Sequence, residues 1–245
     1  IYVQAAITTV GLIAASVYYA FRLAENAKAE TENLLRNILP DAIVVRLKAA
    51  PADRISDQFN DASVLFADIS GFVALARSLG PADTVALLNE IVTRFDDLAR
   101  VHGVEKIKTI GDAYMVAAGI PEPCDDHLHR LAGMGLSMLA AVSRVAAERD
   151  TSLSIRIGIA SGPVMAGVIG KQKFTYYVWG DAVNLAARLE SLSEPGRILV
   201  CPRCKKLLDS HFEFESRGQV EIKGLGPREA FFLLAPSDAS LAAAE

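Results

Sequence analysis

Two acids in this chain stand where acids are costly, and they are the first residues to ask about chemistry. In Val64–Phe72, VLFADISGF, four apolar residues lead straight into Asp68. A buried carboxylate without a partner costs several kcal/mol or takes up a proton. Asp112 follows in KIKTIGDAYM, at what reads as the tip of a tight hairpin. A central strand ending at Asp68 and pairing with that hairpin brings both carboxylates to one end of a sheet. Facing acids repel, and one holds a proton unless a cation intervenes. Hard oxygen donors on a rigid sheet suit Mg²⁺ or Mn²⁺, which keep positions open for phosphate oxygens. Gly71 and Phe72 then turn the chain into a helix start, where free N–H groups favour phosphate. Acid pair and phosphate cradle together point to two-metal phosphoryl transfer. Taken alone, Asp68 is as well explained as a helix cap. The second acid and the glycine-bounded turn weigh against that.

The elements that must position these residues alternate from about Ser63 onward. Strands are expected at Val64–Ile69, Val104–Thr109 and Ala113–Ala118, with Gly111 and Asp112 between the last two. Pro81 and Asp83 start a helix with Val85, Leu88, Ile91, Val92 and Phe95 on one face, and Asp125–Arg149 is a long helix. Leu153–Ala160 and Val164–Ile169 read as a second hairpin through SGP. Asp181–Leu192 reads as a helix, Ile198–Val200 as a strand, and Phe212–Glu215, Val220–Lys223 and Ala230–Leu234 as three more strands. That order predicts an α/β fold, an α+β sandwich of ferredoxin-like type with helices on one side of an antiparallel sheet.

FADISGF, KIKTIGDAYM and YVWGDAVNLAARLES, in that order, resemble the catalytic domain of class III nucleotidyl cyclases. The resemblance runs from about Asp61 to Leu234. The preceding NLLRNILPDAIVVRL is similar to the helix before the catalytic domain in membrane-bound bacterial adenylyl cyclases of the mycobacterial type. The resemblance implies that Asp68 and Asp112, with the Ile69 backbone, hold two Mg²⁺ or Mn²⁺ ions per site. It implies that Lys108 reads adenine, where guanylyl cyclases usually carry Glu. Asn184 would orient the ribose, Arg188 would stabilise charge on the α-phosphate, and Lys223 would contact the terminal phosphates. It further implies a head-to-tail homodimer acting on ATP, with the metal acids from one subunit and Asn184 and Arg188 from the other. Spaced i, i+4, that pair shares one helix face, and a guanidinium fork matches phosphoryl oxygens. Read without the resemblance, Arg188 is an exposed helix residue pairing with Glu190 or Glu194.

Two positions depart from the family pattern. Tyr177 stands where adenylyl cyclases commonly place Asp or Thr to accept from the adenine amino group, and Pro163 stands where some relatives have a phosphate-binding Arg. A phenol oxygen can accept a hydrogen bond, yet the ring is large for a base pocket. Guanylyl cyclase activity and a silent cyclase-like dimerisation module therefore remain rival readings.

The chain has 245 residues, is 51% hydrophobic and carries a formal charge of −4. Mild acidity argues against nucleic acid as a partner. Ile1–Phe21 contains no Asp, Glu, Lys or Arg, has tyrosines towards its ends and is closed by Arg22. That matches a membrane-spanning helix, the last of several, placing the protein in the cell membrane through lipid contact and the catalytic part in the cytoplasm. A core helix fits the same stretch, while a signal peptide would want a basic start. Residues 22–60 then read as a helical dimerisation stalk and linker, 61–235 as the catalytic domain and 236–245 as a disordered tail. Cys124, Cys201 and Cys204 form no disulfide framework, and CPRC without a partner motif is not expected to bind zinc, even with CDDHLH (Cys124–His129) nearby.

Overall fold

The apolar run before Asp68 is the end of a strand much longer than its sequence signal. A computed structural model describes residues 2–50, 54–170 and 174–236, with the backbone alone for residues 3–10. Strand β1 spans Ser56–Ile69, and every residue from Ala62 to Ala67 is buried. A strand covered on both faces needs such an unbroken small and apolar run. It lies at the middle of the sheet, antiparallel to β3 (Ala113–Ala118) and to β4 (Ile155–Ile169). With β2 (Glu105–Ile110), β5 (Thr175–Trp179), β6 (Ile198–Val200), β7 (Phe212–Ile222) and β8 (Gly226–Pro236), the order is β2-β3-β1-β4-β6-β8-β7, and β5 pairs with β4. The first four strands of that order have the ferredoxin-like arrangement, so the expected fold class is the observed one.

Helices cover both faces, which corrects the one-sided sandwich. Helix α5 (His127–Glu148) faces Leu65 and Ile159: a Cβ on its Gly135 would stand 3.5 Å and 3.7 Å from their side chains. Helix α4 (Pro81–His102) lies on the same side, with Phe95 edge-on to Tyr114 at 5.3 Å. Helix α6 (Asp181–Leu192) lies on the other side, against Gly158, the residue next to Ile159 on β4. Successive strand residues point to opposite faces, so one strand feeds two helical layers. The apolarity of α5, enough by length and composition for a membrane span, goes into the core through Leu128, Leu131, Met134 and Met138.

Gly158 sets how closely α6 approaches. A Cβ there would fall 2.1 Å from the Glu190 N and 2.4 Å from the Ala186 O. Gly158→Ala is therefore expected to lift α6 from the sheet and cost about 2–3 kcal/mol. A urea titration checks this; an unchanged midpoint would mean the helix is not seated there.

One hairpin reading and one division into strands are corrected. SGP does not turn the chain: β4 continues through it, paired with β1 from Ile69↔Ile155 to Ser56↔Gly167. The register shifts between Phe59 and Ala62, so Pro163, which has no N–H to give, sits at a bulge where no ladder bond is required. The expected strands Phe212–Glu215 and Val220–Lys223 merge into a single strand, β7, that ends at Ile222, with Lys223 in the turn beyond it, and its pairing shifts between Ser216 and Gly218. Gly218 takes φ 81, the left-handed backbone that favours glycine. The helix start expected at Gly71–Phe72 is α3 (Phe72–Leu79), while helix α7 (Pro202–Leu208) and strand β5 add to the expected set.

These elements belong to one compact unit, Arg54–Ile169 with Tyr176–Glu245. The other unit is Ile1–Asp53 with Gly170–Thr175. In it, α1 runs unbroken from Tyr2 to Arg36, and α2 (Asp41–Ala49) follows Pro40. Arg36 bridges Glu32 at 2.9 Å and Asp41 at 2.7 Å, and Lys48 reaches Glu32 at 2.7 Å. Leu12, Ile13, Val17, Tyr18 and Phe21 of α1 are exposed. The tail expected after Pro236 lies outside the described residues.

Candidate active site

The β2–β3 hairpin closes at Ile110↔Ala113, leaving Gly111 and Asp112 as its turn. Gly111 adopts φ 64, the positive value a two-residue hairpin turn requires. On the neighbouring strand Ala67 faces Tyr114, one residue short of Asp68 and two past Asp112. The two carboxyls therefore meet at one end of the sheet, as expected. Burial, and then the Asp68 charge, hold the Asp112 carboxyl above its usual range. Ile69 is buried beside Ile155, its side chain out of reach of solvent.

What Asp68 meets is an arginine. Arg156, its partner across β4, donates from Nη2 to Asp68 Oδ2 at 2.7 Å. The same Nη2 is 3.2 Å from Oε1 of Glu190 on α6. Glu190 is pushed up to about 6 by burial first and then by the Asp68 charge. So three carboxyls share one guanidinium, and the site is short of positive charge. Neither Arg156 nor this role of Glu190 came out of the sequence. The signal was there: Arg156 interrupts LSIRIGIA as Asp68 interrupts its own strand.

The turn after Asp68 has the shape a phosphate needs. Gly71 takes φ 71 at the N-cap of α3, and Phe72 is the first helical residue. Lys108 pairs with Met115, Met115 with Phe66, and Phe66 with Gly158. That rung lies on the α6 face, two residues along β1 from Asp68. The Lys108 Nζ stands 4.7 Å from the centre of the Tyr177 ring, which stacks on Trp179 at 5.6 Å and 13°. Lys108 and Tyr177, expected together, are together, with a cation over an aromatic face rather than a salt bridge.

Asn184 and Arg188 lie on α6, exposed and half-buried. At 3.6 residues per turn Arg188 is about 160° round the helix from Glu190. Glu190 leans over the acids, so Asn184 and Arg188 leave α6 on another side. Arg188 makes no ion pair among the described residues, and Glu194 bridges Arg197 and Arg217 instead. The bland reading of Arg188 as a surface ion pair is not what the fold shows. The β7–β8 turn carries exposed Lys223, and a Cβ on the next residue, Gly224, would stand 3.6 Å from Arg188 Nη1. The structure thus forms two groups, the acids with Lys108 and Tyr177, and Arg188 with the Lys223 turn.

Both thiols of CPRC are buried, with sulfurs 3.5 Å apart. His127 is buried against Ser63, Oγ to Nδ1 at 2.7 Å, and serves the core. Among the described residues no three His, Cys, Asp or Glu side chains gather as a metal centre. A cation at Asp68 and Asp112 would complete its shell from backbone, phosphate and water oxygens. Two hard carboxylates that crowd each other fit that role.

Residues 55–235 match the family described as the adenylate and guanylate cyclase catalytic domain. An adenylate cyclase of Mycobacterium tuberculosis is 40% identical over 240 residues, covering 95% of this chain and 54% of that protein. The chain thus spans about half the length of that curated relative. The guanylate cyclase domain of RhGC from Catenaria anguillulae, solved in complex with GTP, superposes with a TM-score of 0.71 at 31% identity, covering 74% of this chain and 100% of that one. The adenylyl cyclase CyaB of P. aeruginosa superposes with a TM-score of 0.71 at 27% identity, covering 75% of this chain and 98% of that one.

Proposed function

Because this chain belongs to the adenylate and guanylate cyclase catalytic-domain family, we propose that it is a membrane-anchored, homodimeric adenylyl cyclase converting ATP to 3′,5′-cyclic AMP and pyrophosphate. The observation that carries this reading is the meeting of Asp68 and Asp112 at one sheet end beside Lys108. Two divalent ions, Mg²⁺ or Mn²⁺, supply activation of the ribose 3′-hydroxyl and neutralise the triphosphate when bound. Asp68 and Asp112 hold them, with the Ile69 backbone, and the Gly71–Phe72 turn receives phosphate. Lys108 reads adenine, and the Tyr177 phenol oxygen accepts from its amino group. The divergence of Arg188 from Glu190 around α6 supports a second copy as the source of Asn184 and Arg188. That copy would orient the ribose through Asn184, stabilise the α-phosphate charge through Arg188 and meet the terminal phosphates through Lys223.

The charge-free start of α1, with its exposed apolar side chains, supports a membrane span with the catalytic unit on the cytoplasmic side. The stretch after it would act as the dimerising stalk.

The competing reading is a guanylyl cyclase, favoured by the resemblance in structure to the GTP-bound domain; Lys108 opposes it. Cyclic AMP and cyclic GMP formation from ATP and GTP with Mn²⁺ separates the readings. Turnover of ATP above GTP is expected, and the reverse preference would assign guanylyl cyclase. Tyr177→Asp is expected to raise ATP turnover about tenfold by restoring a compact acceptor for one hydrogen bond. Absence of product from both proteins would leave a silent dimerisation module.

A further inference from the structure

Two buried polar atoms beside the acid pair have no hydrogen-bond partner: Arg156 Nε and Glu190 Oε1. They belong to side chains already in contact, with Arg156 Nη2 3.2 Å from Glu190 Oε1. Yet the guanidinium aims its good hydrogen bond at Asp68, 2.7 Å away. An unsatisfied buried donor and acceptor each cost free energy. A small swing of Arg156 off Asp68 and onto Glu190 would satisfy both, through the two-pronged pairing a guanidinium makes with a carboxylate. The site therefore contains a second seat for the same cation, on an acid that faces the metal ligands from α6.

We propose that Arg156 is the resident counter-cation of Asp68 and is handed to Glu190 when a divalent ion takes the acid pair. In the metal-free state the guanidinium neutralises Asp68, so two acids can share one sheet end. A divalent ion and Arg156 compete for the same carboxylate oxygens, and Glu190 receives the displaced arginine. Arg156 is a positioning residue: it acts on turnover through Asp68. This rests on the reading of Asp68 and Asp112 as the metal-binding pair.

Mn²⁺ binding to the nucleotide-free full chain tests it, read from the free-ion electron paramagnetic resonance signal, with thermal unfolding as the folding check. Arg156→Met is expected to bind Mn²⁺ about tenfold more tightly, as removal of a cation adjoining a carboxylate predicts. Arg156→Lys keeps a competing charge and should stay within about threefold of wild type. Glu190→Gln removes the second seat and should weaken Mn²⁺ binding several-fold. In the Arg156→Met background the same change should have little effect, because no arginine remains to be parked. An equal loss in both backgrounds would reduce Glu190 to a nearby charge and overturn the hand-over. So would unchanged affinity in Arg156→Met, or tenfold tightening in Arg156→Lys. Should Arg156→Met fail to fold, Arg156→Lys with and without Glu190→Gln decides: a smaller Glu190→Gln loss with lysine, which cannot make the two-pronged contact, supports the hand-over, and an equal loss overturns it. Wild-type protein that binds no Mn²⁺ would instead overturn the metal reading itself.

Discussion

Asp68→Ala and Asp112→Ala are each expected to leave about a thousandth of wild-type cyclase turnover or less, a loss of about 4 kcal/mol in transition-state stabilisation. The reason is visible before any substrate is considered. Two carboxyls sit together at a sheet end, and burial with the Asp68 charge holds Asp112 above its usual range. Such crowding costs stability in the empty protein and is relieved by a cation. Removing Asp112 relieves it as well, so that variant should unfold at or above the wild-type temperature, while Asp68→Ala also gives up the Arg156 contact, which Glu190 can take over, and should unfold close to it. That pairing of effects, activity lost while stability holds or rises, separates a functional acid from a structural one. A variant that kept more than about a tenth of its activity would remove that acid from the machinery.

Much of this was legible because unusual residues cost free energy where they stand. Asp68 at the end of VLFA and Asp112 at a hairpin tip were readable from burial and turn chemistry alone. The central place of β1 beside the β2–β3 hairpin followed from the alternation of strands and helices. Arg156 carries the same signal, but only the cross-strand register shows which acid it faces. SGP looked like a turn because Ser, Gly and Pro mark turns; only the β1 register shows that Pro163 sits opposite a bulge. The two-sided helical cover was hidden as well. Whether α6 joins α5 or opposes it depends on Gly158 and Ile159 pointing apart, and a one-dimensional pattern does not say which helix fills which face. The placement of Arg188 was the part least accessible from the chain alone. Its role in the proposed reaction comes from the motif alone, while on α6 it points about 160° round from Glu190 and towards the Lys223 turn.

Arg188→Ala is expected to cost about 10³-fold or more in turnover, the loss seen when a transition-state arginine is removed from phosphoryl transfer. The effect should fall on kcat with little change in KM, since the charge it meets develops only in the transition state. Arg188 pairs with no carboxylate among the described residues, so stability should barely change. These expectations hold whether the arginine acts on its own subunit's acids or on its partner's.

Mixing decides between those cases. Asp68→Ala and Arg188→Ala chains, each nearly inactive alone, are co-expressed or exchanged, and cyclic AMP formation is measured with dimers confirmed by sedimentation. If the site is shared, random pairing makes half the dimers mixed, each with one intact site of two, and about a quarter of wild-type activity returns. A mixture no more active than the sum of its parts, with mixed dimers present, would show that each chain completes its own site and would contradict the shared-site reading.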